Sequence, residues 1–325
     1  MYLQKGWPDM SLRVKNKLRA KRIISIIAFT IIVLFVAFLA VVPHLIMSPM
    51  LGKRVESRQY ISDDYGITAQ QISLKTEDGL SLAAWHTKAN SSKGTIIVLS
   101  GIENPSVTAF FGYAKMFADN GWSSLLIEMR GRNLSEGKEI GLGYTEWNDV
   151  VAGINYLSED QEVSGLPIIA MGTSMGGATS IMAAGKDSRI DGVIAISAFS
   201  SWEDAFSDNM NLMDIPKLLC TLEKPFVKLY LGIRYGFDTT SYSPLKALED
   251  FDDRPLLLMH SVEDSQVPYA SYERLRKQAE RHNVNTSTFV REGDEHFVCY
   301  EEFFDNPSQD IEFGSSILSF LNTNY

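Results

Sequence analysis

Five short, mostly apolar runs constrain the fold of this 325-residue chain more than any other feature. They show no regular polar face, whereas a strand that borders water alternates apolar and polar residues. Such runs are typical of a parallel sheet that is covered by helices on both faces. The runs are TIIVL (95–99), SLLIE (124–128), PIIAM (167–171), GVIAI (192–196) and PLLLM (255–259).

The segments around these runs complete the prediction of the fold class. Longer stretches with a helical period separate the runs, for example SVTAFFGYAKMFADNGW after the first. Before the first run, QQISLKT and LSLAAWHT flank Asp78-Gly79, a strong signal for a hairpin turn. The sequence therefore predicts an α/β fold with a doubly wound, mostly parallel sheet that opens with an antiparallel hairpin.

The alternation of strands and helices lapses between about residues 199 and 254. This segment is rich in aromatic residues and methionines, at spacings that indicate several amphipathic helices. We interpret it as a helical cap over the carboxyl-terminal edge of the sheet. The alternative is that its aromatic side chains only pack the insertion onto the core.

The amino terminus predicts a membrane anchor. Residues 23–42, IISIIAFTIIVLFVAFLAVV, carry no charge, and twenty helical residues span about 30 Å, the thickness of the hydrocarbon core of a bilayer. A cleaved secretory signal is the alternative, but its apolar region is usually only about 7–15 residues long and ends in a cleavage site. We therefore expect a basic segment over 1–22, a transmembrane signal-anchor helix over 23–47, a linker over 48–64 and a folded body over 65–325.

Charge indicates the orientation of this helix and excludes one class of partner. Residues 1–22 contain seven Lys or Arg and one Asp, which predicts a cytoplasmic amino terminus and a body outside the cell membrane. The remaining chain has 23 basic and 39 acidic residues. An acidic body without a basic stripe argues against binding to nucleic acid.

Cysteine usage gives little information about function. Cys220 and Cys299 are the two cysteines of the chain. They are too few for a disulfide framework, and their spacing matches no metal site. Whether they form a disulfide is left open, and so is the oligomeric state.

The motif Gly172-Thr173-Ser174-Met175-Gly176 contains the candidate nucleophile. A Gly-x-Ser-x-Gly match is weak by itself, because the chain has 23 glycines. Here it follows a predicted strand, LPIIAMG, and precedes the helix-compatible MGGATSIMAAG. A sharp turn between them would expose the Ser174 hydroxyl at the amino terminus of a helix, which favours developing negative charge.

A serine nucleophile needs a base and an acid that orients the base. Of the five histidines, His296 lies in a loop after the last predicted strand, where it can reach Ser174. His260 ends a strand, which favours a packing role, although it could line the site. In the loop that leaves the strand at 255–261, Asp264 is the better acid because it precedes Val267-Pro268 at the D-x-x-V-P spacing. Glu263 is the fallback.

The order Ser174, Asp264, His296 resembles that of the α/β-hydrolase superfamily, and the resemblance covers about residues 65–325. VLSGIENP (98–105) and EMRGRNLSEG (128–137) are similar to two further landmarks of that superfamily. The resemblance implies that the backbone N–H groups of Ile102 and Met175 form an oxyanion hole.

The chain departs from the superfamily pattern at Ser100, Glu128 and Asn133, where histidine, aspartate and glycine are customary. None of these is a triad position, so the implied chemistry is unchanged. Arg130 and Gly131 are expected to serve the architecture of their loop.

These observations lead to a functional hypothesis. We expect a membrane-tethered serine hydrolase that cleaves carboxylic ester or thioester bonds of small molecules through an acyl-enzyme, with no metal or organic cofactor. A serine peptidase of the same fold is the alternative, and the acids Glu203, Asp204, Asp208 and Asp214 of the cap could then hold a substrate amine. A non-catalytic binding module at the membrane is a third possibility.

Overall fold

The computed structural model of the protein describes residues 10–51, 53–102 and 105–325. The chain divides into two compact units, one that ends at Ser48 and one that spans Pro49–Tyr325. The first unit contains helix α1, Met10–Met47, which is long and apolar enough to cross a membrane. The predicted span, 23–47, lies within α1, whereas residues 1–9 of the predicted basic segment lie outside the described residues.

The second unit, called the body below, contains the strands and the remaining helices. Its described strands are β1 Gln70–Lys75, β2 Ser81–Thr87, β3 Thr95–Leu99, β4 Ser123–Ile127, β5 Ile168–Thr173, β6 Gly192–Ile196, β7 Leu256–Ser261 and β8 Thr286–Arg291. Its described helices are α2 Phe111–Asp119, α3 Trp147–Glu159, α4 Met175–Lys186, α5 Trp202–Leu212, α6 Lys217–Tyr235, α7 Phe237–Thr240, α8 Pro244–Ala247, α9 Ala270–Arg281 and α10 Ile311–Asn324.

The described strands form one eight-stranded sheet in the order β1-β2-β4-β3-β5-β6-β7-β8. The first two strands form an antiparallel hairpin, in which Lys75 pairs with Ser81 across the predicted turn. Strand β2 is also antiparallel to β4, and all later pairings are parallel. The predicted doubly wound, mostly parallel sheet with an opening hairpin is confirmed.

The core lies on both faces of this sheet. Along β3, Ile97 and Leu99 pack into the layer that contains side chains of α3, α4 and α9, and Ile96 and Val98 pack into the layer of α2 and α10. All five residues of β3 are buried. Since successive strand residues point to opposite faces, a strand covered on both sides cannot keep a polar face.

The predicted cap segment, 199–254, folds into helices α5 to α8 between β6 and β7. Trp202 donates a hydrogen bond from Nε1 to the carbonyl of Leu142 at 2.8 Å, which ties α5 to the loop before α3. Arg274 of α9 binds both carboxylate oxygens of Asp208, at 2.6 and 2.7 Å. The segment thus combines apolar packing with charged contacts to the rest of the body.

Two local sequence interpretations can be compared with the structure. Residues 49–64 of the predicted linker belong to the body, and Val55 among them forms backbone hydrogen bonds with Gly131 and Asn133, each at 2.9 Å. Cys220 and Cys299 are both buried free thiols, so the disulfide left open by the sequence is not formed.

Helix α6 buries an acidic side chain. Glu223 is fully buried, and among the described residues neither of its carboxylate oxygens has a hydrogen-bond partner. Burial raises the pKa of Glu223 from 4.5 to about 7. The folded protein therefore favours the protonated carboxyl more than the unfolded chain does.

The raised pKa of Glu223 makes the free energy of unfolding depend on pH. The stability that the protonated carboxyl contributes is fully present below the unfolded pKa of 4.5, and it is lost as pH rises through about 7. We expect Glu223→Met to raise the free energy of unfolding at pH 8 by about 1–3 kcal/mol and to change it little at pH 5. Thermal unfolding of the full chain in detergent at both pH values measures this. The exposed Glu302→Met is the control, and an equal effect at both pH values would contradict the prediction.

Candidate active site

Ser174 lies between the end of β5 at Thr173 and the start of α4 at Met175. Its backbone has φ 57° and ψ −120°, a strained conformation for a residue with a side chain. A Cβ atom at Gly172 would lie 2.2 Å from the Gly176 carbonyl carbon, and one at Gly176 would lie 2.5 Å from the Ser100 carbonyl oxygen. Both glycines are therefore required by close backbone approach, and the turn exposes Ser174 as the motif predicts.

The loops after β7 and β8 bring Asp264 and His296 together. His296 Nδ1 lies 2.9 Å from Oδ2 and 3.0 Å from Oδ1 of Asp264. Both side chains are at least nine-tenths buried. The contact through Nδ1 leaves Nε2 as the ring nitrogen that can accept a proton from a nucleophile.

The environment of Asp264 keeps it ionised. Burial by itself would raise its pKa, but the hydrogen bonds from His296 and from the amide of Val267 outweigh burial and hold the pKa below its ordinary value. The amides of Gln266 and Val267 each donate to Oδ1 at 2.9 Å. These contacts fix the orientation of the carboxylate toward the imidazole ring.

The fallback acid does not share this contact. Glu263 is exposed, and its backbone amide donates to the carbonyl of Gly293 at 3.1 Å. The structure thus pairs His296 with the first-choice acid, Asp264.

A second histidine lies beside the same carboxylate. His260 is 1% exposed, and its Nε2 lies 2.8 Å from the carbonyl oxygen of Val267 and 3.7 Å from Oδ2 of Asp264. Burial lowers the pKa of His260 below its ordinary value, so the ring is neutral at neutral pH. Its position beneath Asp264 fits the packing role that the sequence favours, and it leaves His296 as the ring that faces the cavity.

Ser174 and His296 open onto the same cavity of about 310 Å³. This volume lies at the small end of the range for sites that bind small molecules. The cavity is lined by Met50, Gly101, Ile102, Ser174, Gln266, His296 and Phe297.

Of the two predicted oxyanion residues, one directly follows Ser174 in the chain and the other lines the same cavity. Met175 is the first residue of α4, where a backbone N–H has no acceptor within its own helix. Ile102 lies in the cavity wall, in the loop after β3. Their donation to an oxyanion remains a prediction.

The loop that carries Ile102 is held by Arg132, a residue that the sequence analysis did not single out. Arg132 is fully buried, and its guanidinium donates to the carbonyls of Gly101 and of Pro105, the latter at 3.1 Å. Its Nε lies 3.2 Å from Oε1 of Glu128, which is equally buried. The sequence signal that could have indicated this role is a pair of opposite charges, Glu128 and Arg132, four residues apart and directly after an apolar strand.

Glu128 binds Asn133, a second residue at which the chain departs from the superfamily pattern. Its Oε2 accepts hydrogen bonds from Ser106 Oγ at 2.7 Å and from Asn133 Nδ2 at 2.8 Å. Asn133 has a positive φ of 37°, in the region that asparagine tolerates better than most residues. The glutamate and the asparagine thus belong to one buried network that supports the Ile102 loop.

Removal of the guanidinium should damage both stability and catalysis. We expect Arg132→Met to lower the free energy of unfolding by about 3–5 kcal/mol, because it leaves Glu128 buried without its cation. Thermal unfolding and kcat of the full chain are the measurements.

Two further variants separate stability from positioning. Glu128→Leu combined with Arg132→Met should recover stability but not kcat, since the loop still lacks its donor. Arg276→Met is the control for loss of a charge, because Arg276 is a partly exposed residue of α9. If Arg132→Met alone has the stability and kcat of the wild type, Arg132 does not have this role.

Arg130 has the architectural role that the sequence indicates. Its guanidinium binds Asp149 at 2.8 Å through Nε and Asp78 at 2.6 Å through NH1. It thereby joins the hairpin turn to α3, and its contacts in the structure are separate from the cavity lining.

Comparison with known proteins identifies the family of the chain. The sequence profile of the prolyl oligopeptidase family matches residues 108–324. The uncharacterized protein YqkD of Bacillus subtilis is 26% identical over 251 residues, which cover 72% of this chain and 78% of YqkD.

Two solved structures share the fold. The esterase Pf2001 of Pyrococcus furiosus has a TM-score of 0.65 at 20% identity and covers 83% of this chain and 98% of its own. The acylaminoacyl peptidase of Pyrococcus horikoshii has a TM-score of 0.60 at 16% identity and covers 79% of this chain but 41% of its own. The chain thus has the α/β-hydrolase fold, and it matches less than half of the peptidase chain.

Proposed function

Because this chain belongs to the prolyl oligopeptidase family of serine hydrolases with the α/β-hydrolase fold, we propose that it cleaves carboxylic ester or thioester bonds of small molecules. One observation carries the proposal: His296, oriented by Asp264, opens onto the same cavity as the strained Ser174. This arrangement supplies a nucleophile, a base and an acid that orients the base.

The proposed reaction has two steps. In the first, Ser174 Oγ attacks the carbonyl carbon of the ester while His296 Nε2 takes its proton, and the imidazolium then protonates the departing alcohol. In the second, water gives a proton to His296 and attacks the acyl-enzyme, which releases the acid and returns the proton to Ser174. The amides of Ile102 and Met175 would stabilise the oxyanion in both steps.

Two of the four cap acids that could hold a substrate amine are already paired with cations, which favours an ester over a peptide with a free amine. Asp204 binds Lys224 Nζ at 2.6 Å, and Asp208 binds Arg274 in a bidentate pair. A substrate amine would have to displace these cations. Among the described residues that line the cavity, none is acidic.

A serine peptidase is the second candidate, and the family match supports it. An acylaminoacyl peptidase also shares the fold. Such an enzyme would attack an amide carbonyl with the same three side chains. The difference between the two candidates therefore lies in which leaving groups the enzyme can expel.

Matched substrates distinguish ester from amide cleavage. The full chain in detergent is assayed with p-nitrophenyl esters and p-nitroanilides of the same acyl groups, including an N-acetylaminoacyl group, and a fluorophosphonate probe reports the nucleophile. We expect ester hydrolysis with kcat/KM at least about 100-fold above that of each anilide. Anilide cleavage within about tenfold of the ester would instead support the peptidase.

We further propose that α1 anchors the protein in the cell membrane, with the amino terminus in the cytoplasm and the body outside. The apolar composition of α1 and the basic residues before residue 23 support this orientation. Protease added to intact cells should digest the body, whereas full protection of the body would refute the orientation.

A further inference from the structure

Helix α6 of the body has two apolar faces. Its inner face buries Cys220, Val227 and Leu231. On the other side, Leu218 and Ile233 are 70% and 72% exposed, and Leu222 and Leu229 are 40% and 45% exposed. At about 100° per residue these four positions lie within an arc of about 60°. One face of a soluble helix normally contacts the core and the other is polar, so the exposed apolar face needs an explanation.

Exposed apolar residues also lie beyond both ends of the helix. Met213, shortly before α6, is 75% exposed, and Phe237, directly after it, is 54% exposed. The ring of Phe237 is held against the helix, since a Cβ atom at Gly232 would lie 2.3 Å from its Cδ1. We call these six residues the outer stripe: Met213, Leu218, Leu222, Leu229, Ile233 and Phe237.

Three lysines of α6 lie beside the outer stripe. Lys217, Lys224 and Lys228 lie in a row along one flank of the outer stripe, at about 100° per residue. Lys224 binds Asp204, whereas the exposed Lys217 and Lys228 form no ion pair within the described part of the chain. The acid of α6, Glu223, is buried. The exposed charged side chains of α6 itself are thus basic, although the chain as a whole has a net charge of −10.

We propose that the outer stripe of α6 docks on the anionic surface of a lipid bilayer. An apolar stripe flanked by lysines is the pattern of a helix that lies in the membrane interface. Leucine, isoleucine and phenylalanine side chains enter the acyl boundary, while the lysines bind anionic headgroups.

Two observations favour a bilayer over a second copy of the chain. Pairing of two outer stripes would bring two lysine rows and two acidic bodies together, which is electrostatically unfavourable. The chain also carries α1, which is apolar and long enough to span a membrane. A chain tethered in this way meets the bilayer at high effective concentration, so weak docking is sufficient.

Docking and catalysis are separable in the structure. Among the described residues, the lining of the cavity at Ser174 includes no member of the outer stripe. Substitutions in the stripe should therefore leave hydrolysis of a short, water-soluble ester unchanged. That assay reports folding independently of membrane contact.

Accessibility to an aqueous quencher tests the proposal. Leu222→Cys in the full chain is labelled with NBD, and iodide quenching is measured in nanodiscs of phosphatidylcholine and phosphatidylglycerol and in lipid-free amphipol. The exposed Glu280→Cys on α9 is the control site. The unsubstituted chain gives the background from Cys220 and Cys299, which are 3% and 1% exposed.

We expect the quenching constant at position 222 to be at least about threefold lower in the nanodiscs than in amphipol, with no change at position 280. Adding Leu218→Glu and Ile233→Glu should restore quenching at position 222, because docking would bring two carboxylates against an anionic surface. Three results would overturn the proposal. The first is equal quenching at positions 222 and 280 in nanodiscs, which would show that position 222 is not covered. The second is protection of position 222 in pure phosphatidylcholine that equals its protection in nanodiscs with phosphatidylglycerol. The third is protection in amphipol that grows with protein concentration, which would point to a second copy of the chain.

Discussion

Ser174→Ala is expected to lower kcat for p-nitrophenyl esters by about 10⁴- to 10⁶-fold and to abolish labelling by a fluorophosphonate probe. The reason is that the hydroxyl is the group that bonds to the acyl carbon, so its loss removes the covalent route. Hydrolysis by the full chain in detergent, measured under single-turnover and steady-state conditions, gives the size of the effect. The Ser174 side chain forms no capping hydrogen bond at the start of α4, so the alanine variant loses none there.

Ser265→Ala is the matched control, because Ser265 is an exposed serine in the loop that carries Asp264. Its kcat should stay within about twofold of the wild type. If Ser174→Ala keeps a tenth or more of the activity, or if the probe labels this variant as fast as the wild type, Ser174 is not the nucleophile. Absence of labelling and hydrolysis in the wild type would reject the enzymatic function.

Asp264→Asn is expected to lower kcat by about 10³- to 10⁴-fold with little change in fold. The asparagine amide can donate to Nδ1 of His296, which places the imidazole proton on Nε2 and leaves no base for Ser174. The Oδ1 atom of asparagine still accepts from the amides of Gln266 and Val267, so the loop keeps its shape. The rate of fluorophosphonate labelling should fall in parallel with kcat.

Asp294→Asn is the control for Asp264→Asn. Asp294 lies in the loop that carries His296 and accepts a hydrogen bond from the Ser265 amide at 2.7 Å. Its substitution removes a charge near the site without touching the imidazole ring. If Asp264→Asn retains activity within about tenfold of the wild type while Glu263→Gln loses it, the acid of the triad is the fallback residue.

The strands could be predicted from the sequence because their pattern depends on neighbouring residues alone. The run TIIVL coincides with β3 and the run GVIAI with β6. The run SLLIE is shifted by one residue from β4, and its last residue, Glu128, directly follows the strand and binds Ser106 and Asn133 through its carboxylate. Side chains that face two apolar layers must be apolar on both sides, and this requirement is visible in any short window of the chain.

The roles of several charged residues could not be predicted in this way. Asp204 and Asp208 read as possible ligands for a substrate amine, whereas the structure gives them Lys224 and Arg274 as partners. These partners lie twenty or more residues away along the chain. Arg132 likewise acts on a loop some thirty residues before it. Such pairings depend on how separate elements pack, which no local pattern encodes.

Local sequence was thus sufficient for the sheet, for the turn that exposes Ser174 and for the apolar amino-terminal helix. In each case the pattern that predicts the feature lies within a short window of the chain, such as Gly172 and Gly176 around the serine. The folded chain was needed to pair His296 with Asp264 rather than Glu263, to place Arg132 under the Ile102 loop and to leave the outer stripe of α6 exposed. Burial and long-range hydrogen bonds decide these features, and both arise only when distant segments come into contact.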